Sequence, residues 1–340
     1  MPKRVVFTAE AWEQPYGQEI FRRVSALKIN SDVLTNNRIT GLRGATERET
    51  YKIAKNTLAV VIAPPSAFKL RPIPPSADYQ FHLAEGCPAH CQYCYLAGSL
   101  QGPPAIRVFA NLPEILKNLI PYEGLHPITT FEASCCTDPL SLEHLTGGLA
   151  KTIGFFAERE HSHLRFVTKF EAVSDLVSIK HNGHTRFRSS LNAYPIAQRL
   201  ETGTPGVEKR LGALRRIALP AFQGGGGYPI GIVLAPIIPI PDWQVEYRRL
   251  LSDVAEQLDF DCDLTFELIT HRFTPGSKSV LMEWYPNTSL DMEEDTRSVK
   301  RNKFGGTKFV FTKEMMGSLR TFLEGEIARL FPRARILYWT

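Results

Sequence analysis

The run EGCPAHCQYCYLAGS, residues 85–99, decides how this chain is read. It places Cys87, Cys91 and Cys94 at C-x3-C-x2-C spacing. Three thiolates this close suit three irons of a cubane [4Fe–4S] cluster, which usually takes about four cysteine ligands. No fourth cysteine follows at motif spacing, so one iron stays open to another ligand. The rival reading is a zinc site in which His82 or His90 supplies the fourth ligand. The second ligand pair that a structural zinc module normally shows at a distance is missing.

Outward from this run, strand-like and helix-like stretches alternate. YQFHL (79–83), TTFEASC (129–135), LRFVTK (164–169), TRFRSSLN (185–192), YPIGIVLAPI (228–237) and LTFELIT (264–270) read as strands. Between them, 112–120, 141–160, 172–179, 207–219 and 242–258 carry helical spacing, with Ser141 expected as an N-cap. Strands separated by helices imply parallel pairing through right-handed crossovers. The fold class expected is α/β, a partial (β/α)6 barrel, with a doubly wound open sheet as the structural rival. In such barrels active residues gather where strands run into the loops that follow them. The cysteine run follows the first strand, as this requires.

Three regions are expected: an N-terminal extension over 1–78, rich in proline and packed on the barrel; the barrel over 79–275; and a C-terminal region over 276–340. Within the extension, TLAVVIA (57–63) reads as a strand. In the C-terminal region, RSVKRNKFGGTKFVFT (297–312) holds Arg297, Lys300, Arg301, Lys303 and Lys308 with no acidic residue. Gly305-Gly306 reads as the turn of a β-hairpin, followed by a helix (313–331) and a terminal strand (335–339).

The chain has 340 residues, 43% hydrophobic and 22% charged, with net charge +5. That supports a large folded core and permits an acidic partner without requiring one. Six cysteines in no disulfide framework fit a reducing cytoplasm. No stretch reaches the roughly 18 apolar residues of a membrane span, and the N-terminus has no apolar signal core. Gly224 to Gly227 match neither a phosphate-binding loop nor a dinucleotide fingerprint.

The cysteine spacing resembles that of the radical S-adenosylmethionine superfamily. Longer runs resemble one of its families, the spore photoproduct lyases. They are PYGQEI (15–20), GCPAHCQYCYL (86–96), FEASC with Thr137-Asp138, LRFVTKFE (164–171), HNGHTRFR with SLN (181–192), VLAPI (233–237), LTFELITHRFT (264–274), the basic hairpin, and RILYWT (335–340). The resemblance implies a DNA repair lyase acting on 5-thyminyl-5,6-dihydrothymine, an ultraviolet crosslink of adjacent thymines. A 5′-deoxyadenosyl radical takes hydrogen from the dihydrothymine half, the bridge fragments, and a cysteine returns a hydrogen atom. The implied cofactors are a [4Fe–4S] cluster and S-adenosylmethionine.

Residue by residue, the resemblance gives Cys87, Cys91 and Cys94 as cluster ligands and Cys135 as hydrogen donor, with Tyr93 and Tyr95 near lesion and cofactor. Thr137, Asp138, Lys169, Ser190, Asn192 and Ala235 match cofactor-facing positions. Lys300, Arg301, Lys303 and Phe304 match the DNA-binding hairpin. The family has a hydroxyl residue where Cys136 stands, a serine where Thr137 stands, and arginine and tyrosine where Lys303 and Phe304 stand. Alternation along a strand would send Cys135 and Cys136 to opposite faces. The partners implied are double-stranded DNA carrying a thymine photoproduct and a reducing electron donor of flavodoxin or ferredoxin type. No membrane is expected. The protein is expected to be a cytoplasmic monomer, in the spore core or germinating cell if the source sporulates. Two other readings stand beside this one: the same scaffold acting on a different nucleic-acid substrate, and a zinc-stabilised nucleic-acid-binding protein.

Overall fold

The computed structural model describes residues 1–99, 102–301 and 306–340. The chain divides into two compact units, Met1–Pro88 with Leu100–Phe187, and Ala89–Ser99 with Arg188–Thr340.

In the first unit, the strands Ala77–Phe81, Thr129–Ala133 and Ser162–Thr168 pair in parallel. Their inward residues are large and apolar. Leu164 and Phe166 are buried at alternate positions of the third strand, and Phe131 packs against Phe156, ring centroids 5.6 Å apart. Each such side chain contributes roughly 1.5–3 kcal/mol by leaving water. The same unit holds a second sheet that the sequence pattern does not announce. Arg4–Phe7 lies parallel to both Ser31–Val33 and Thr57–Val61, and Thr57–Val61 lies parallel to Ile106–Phe109. Only its strand at 57–61 is legible in the sequence, because the others have three or four residues, too few to show a period. The helix Glu47–Lys55 before that strand starts on a capping box of Thr46 and Glu49.

In the second unit, Ile230–Ile237, Leu264–Thr270 and Arg335–Trp339 pair in parallel. The strand Thr185–Leu191 begins in one unit and ends in the other. The helix Trp243–Gln257 buries Tyr247, Leu250, Leu251 and Val254 and packs on Lys313–Leu330, which buries Leu319, Leu323 and Ile327. A buried ion pair, Arg188 Nη1 to Glu267 Oε2 at 2.7 Å, crosses this half. Gly231 makes room for it, since a Cβ there would stand 2.9 Å from Arg188 Cγ.

All six barrel strands lie where the hydrophobic runs put them, within two residues. The helical reading over 141–160 needs correction. Gly147 takes left-handed φ 65° and splits it into Glu143–Thr146 and Gly148–Ala157. Ser141 is not an N-cap; it lies in the preceding 3-10 turn, and its hydroxyl donates to Asp138 O at 2.5 Å. The helix read over 172–179 shrinks to Ser174–Val177.

Candidate active site

The first barrel strand, Ala77–Phe81, leads into the cysteine loop. Gly86, immediately before Cys87, takes φ +77°, and a Cβ there would meet the Ala105 carbonyl oxygen at 2.4 Å. Only glycine suits both conditions. Lys55, at the end of the capped N-terminal helix, donates through Nζ to the Cys87 carbonyl. This bond ties the helix Glu47–Lys55 to the start of the loop.

In the second unit, His90–Cys91 pairs antiparallel with Glu201–Thr202, Cys91 opposite Glu201. Tyr93 donates its phenol to the Glu201 carboxylate, and Arg210 Nη1 pairs with Glu201 Oε2 at 2.6 Å. Glu201 and Arg210 are both buried. Burial and the neighbouring Glu201 push the Tyr93 phenol well above its ordinary value, so it keeps its proton. Tyr95 opens the 3-10 turn Tyr95–Gly98 and is 60% exposed. The two tyrosines therefore occupy different environments. Nothing in the sequence singles out Glu201 or Arg210. A buried pair that acts 108 positions from Tyr93 leaves no local signal there.

Cys135 and Cys136 follow the second barrel strand. The expectation that they face opposite sides of a strand is overturned. The strand ends at Ala133, and Ser134 takes left-handed φ 57°. Such a backbone is costly for a non-glycine residue and needs support. Ser134 has it: its N–H donates to Phe81 O at 2.7 Å, and its Oγ accepts from Leu83 N at 2.9 Å. The cysteines then lie in a turn with sulfurs 3.8 Å apart, and Cys135 Sγ donates to Gln80 Oε1 at 2.8 Å. The hydrogen bond with Cys136, and then burial, raise the Cys135 thiol; the same bond lowers Cys136. The pair is thus unequal, with the Cys135 thiol the weaker acid.

This turn is tied to the cysteine loop. Gly86 N–H donates to Cys136 O at 3.0 Å, and the Thr137 hydroxyl donates to Gly86 O. Next to it, buried Asp138 accepts from Thr168 Oγ1 at 2.7 Å, Lys169 N at 2.7 Å and Ser141 N at 3.2 Å. Burial raises its pKa against these bonds. In the second unit, Ser190 O accepts from Arg210 at 3.2 Å, and Asn192 Nδ2 donates to Pro236 O at 2.8 Å. Asn192 Oδ1 accepts from Tyr247 at 3.0 Å. Ala235 sits in the irregularity between Leu234 and Ile237. The side chains of Asp138 and Asn192 thus bond to backbone and side-chain groups of other residues, fixing the strand ends.

The basic hairpin is present as Ser298–Arg301 paired antiparallel with Thr307–Val310, Lys300 opposite Lys308. Like charges directly opposite each other are unfavourable without an anionic partner. Lys300 and Arg301 are exposed. Lys303, Phe304 and Gly305 lie outside the described residues. Arg297 leaves the basic face: it is buried, its guanidinium 3.8 Å from the Phe311 ring centroid, with Nη2 donating to Asp291 O at 3.0 Å.

The donor set fits a cluster: three thiols outside any disulfide, on a loop whose entry only glycine can take. A partial barrel with this loop after its first strand defines an enzyme of the radical S-adenosylmethionine type. The sequence model of the family "Spore photoproduct lyase" matches residues 1–340. The spore photoproduct lyase of Geobacillus sp. (strain Y412MC61) is 39% identical over 345 aligned positions, covering 100% of this chain and 99% of that protein. That of Bacillus subtilis (strain 168) is 37% identical, covering 100% and 98%. A solved spore photoproduct lyase double mutant with bound AdoMet and dinucleoside spore photoproduct superposes with TM-score 0.93 at 38% identity. The match covers 100% of this chain and 99% of the other. A solved spore photoproduct lyase complexed with dinucleoside spore photoproduct matches equally well. The chain belongs to the spore photoproduct lyase family.

Proposed function

We propose that this chain repairs the spore photoproduct in DNA as a carbon–carbon lyase, restoring two thymines. The observation that carries this reading is the pair of hydrogen bonds joining Gly86, beside Cys87, to Cys136 and Thr137. They tie the turn of Cys135 and Cys136 to the residue before Cys87. Cys87, Cys91 and Cys94 would hold a [4Fe–4S] cluster, and Thr137, Asp138, Lys169, Ser190, Asn192 and Ala235 would surround S-adenosylmethionine. When bound, the two supply one-electron cleavage chemistry that starts hydrogen abstraction from the dihydrothymine ring.

The chain's own residues do the rest. Cys135 holds a protonated thiol, kept so by Cys136 and by burial. Its weak S–H bond gives a hydrogen atom to the thymine methylene radical left when the bridge breaks. Tyr93 and Tyr95 stand on the loop through which Cys135 would recover its hydrogen. Lys300, Arg301, Lys303 and Phe304 grip the duplex, with cations on phosphates and an aromatic ring at the gap left by an extruded lesion. A reducing protein of flavodoxin or ferredoxin type supplies the electron, the protein acts as a monomer, and an oxygen-labile centre places it in the reducing cytoplasm. Among the described residues no helix is long and apolar enough to cross a membrane.

The test is lesion turnover by anaerobically reconstituted, reduced protein on a dinucleotide spore photoproduct. Two thymines per lesion are expected. Cleavage of S-adenosylmethionine without thymine formation would sink the assignment.

A further inference from the structure

We propose that His82, Cys135 and Cys136 form a binding site for a thiophilic divalent cation of the zinc class. Occupancy would withhold the Cys135 hydrogen from repair, a consequence that rests on the donor role argued above. The ligand atoms of the three residues all lie within 4.8 Å of one another. The two sulfurs are 3.8 Å apart. Zinc–sulfur bonds of about 2.3 Å at a tetrahedral angle separate two sulfurs by about 3.8 Å, so this edge needs no rearrangement. The third ligand is available, since His82 Nδ1 is buried with no hydrogen-bond partner among the described residues. Burial and Arg71 also hold His82 below its ordinary value, leaving the ring neutral.

The three side chains are held in mutual register by Ser134. Phe81 and Leu83, on either side of His82, both bond to Ser134, and Cys135 follows it. A site preset by backbone bonds loses little freedom on binding. Two thiolates and one imidazole make three protein ligands, which leaves one position for water, the arrangement of an exchangeable rather than a closed structural ion. All three residues are half-buried, within reach of solvent. Zinc binding displaces the two thiol protons to solvent, and a metal-bound thiolate has no hydrogen atom to give. None of the three belongs to the C-x3-C-x2-C set, so this site and the cluster do not compete for ligands.

The test uses cluster-loaded protein with S-adenosylmethionine present, dialysed anaerobically against zinc sulfate. We expect one zinc per chain. Its X-ray absorption edge should report two sulfurs near about 2.3 Å and one nitrogen near about 2.0 Å. Cys136→Ala and His82→Ala should each weaken zinc binding by at least about tenfold, the least that removing even a hydrogen-bonding neighbour of a ligand costs at such sites. Two substitutions on different segments guard against one that merely misfolds. Zinc-loaded protein should stop forming thymines while still cleaving S-adenosylmethionine, and a chelator should restore repair. A zinc shell without sulfur, or binding by both variants as tight as the parent's, overturns the site. Continued thymine formation with the site filled overturns the inhibition. If cluster-loaded, zinc-free protein forms no thymines at all, the repair reading fails instead, and the absorption edge still decides the metal site.

Discussion

The Cys135 sulfur lies 3.8 Å from the Cys136 sulfur and 2.8 Å from Gln80 Oε1, so one thiol of a neighbouring pair is held between two partners. This asymmetry separates the cysteines chemically although they share one turn. Cys135→Ala should let the lesion fragment but divert the methylene radical into adducts, lowering thymine yield. Cys136→Ala leaves Gln80 to orient the Cys135 thiol and should keep two thymines as the products. Product analysis by chromatography and mass spectrometry decides. Adducts from the Cys136 variant, with clean thymine from the Cys135 variant, would reverse the assignment.

The Tyr93–Glu201–Arg210 chain predicts coupling between a buried ion pair and the cysteine loop. Arg210→Met leaves the Glu201 carboxylate buried without its cation, and breaking a buried pair in this way costs about 3–5 kcal/mol. Because Glu201 is the register partner of Cys91, the same variant should also retain less iron after reconstitution. Urea midpoints and iron per chain are the measurements. An unshifted midpoint would contradict the account.

Six barrel strands and the hairpin are legible because apolar runs of strand length alternate with helical spacing. What stays hidden depends on backbone conformation or distance. Alternation fails at Cys135 and Cys136 because Ser134 ends the strand in a left-handed turn, and only its bonds to Phe81 and Leu83 make that turn tolerable. Composition counts Arg297 among the hairpin cations, yet its side chain turns inward onto Phe311. The resemblance assigns Asp138 and Asn192 to cofactor-facing positions. Their carboxylate and amide groups are engaged by Thr168, Lys169 and Ser141, and by Tyr247 and Pro236. Residue type alone does not show these bonds, because most of the partners lie far off in the sequence.

The hairpin prediction concerns salt. Lys300 and Arg301 are exposed and Lys300 stands opposite Lys308, so a phosphate backbone would relieve their repulsion. Removing one cation that neutralises a phosphate lowers the slope of log affinity against log salt by about 0.9 on duplex DNA. The pair Lys300→Gln and Arg301→Gln should flatten that slope by up to about two and weaken duplex binding more than it slows turnover on a dinucleotide. Equal losses on both substrates would remove the hairpin from DNA binding.

His271 gives the stability of this protein a pH dependence of definite sign. It follows the strand Leu264–Thr270 and is buried, with Phe273 and Phe311 as ring neighbours and Nδ1 without a hydrogen-bond partner among the described residues. Burial, with Arg297 nearby, pushes its pKa from 6.5 down to about 3. The folded state therefore keeps a neutral ring, whereas the unfolded chain takes up a proton near pH 6.5. The unfolded state binds more protons across that window, so stability is full above it and falls as pH drops toward about 3, by about 1.4 kcal/mol per unit. Between pH 7.5 and 5.5 the loss from this group comes to about 1.4 kcal/mol. His271→Gln has no such titration, and its urea midpoint should fall correspondingly less over the same interval. Comparing the two pH differences cancels the contribution of every other group, the cluster included. Parallel falls in parent and variant would show that the ring titrates freely and is not sealed in the core.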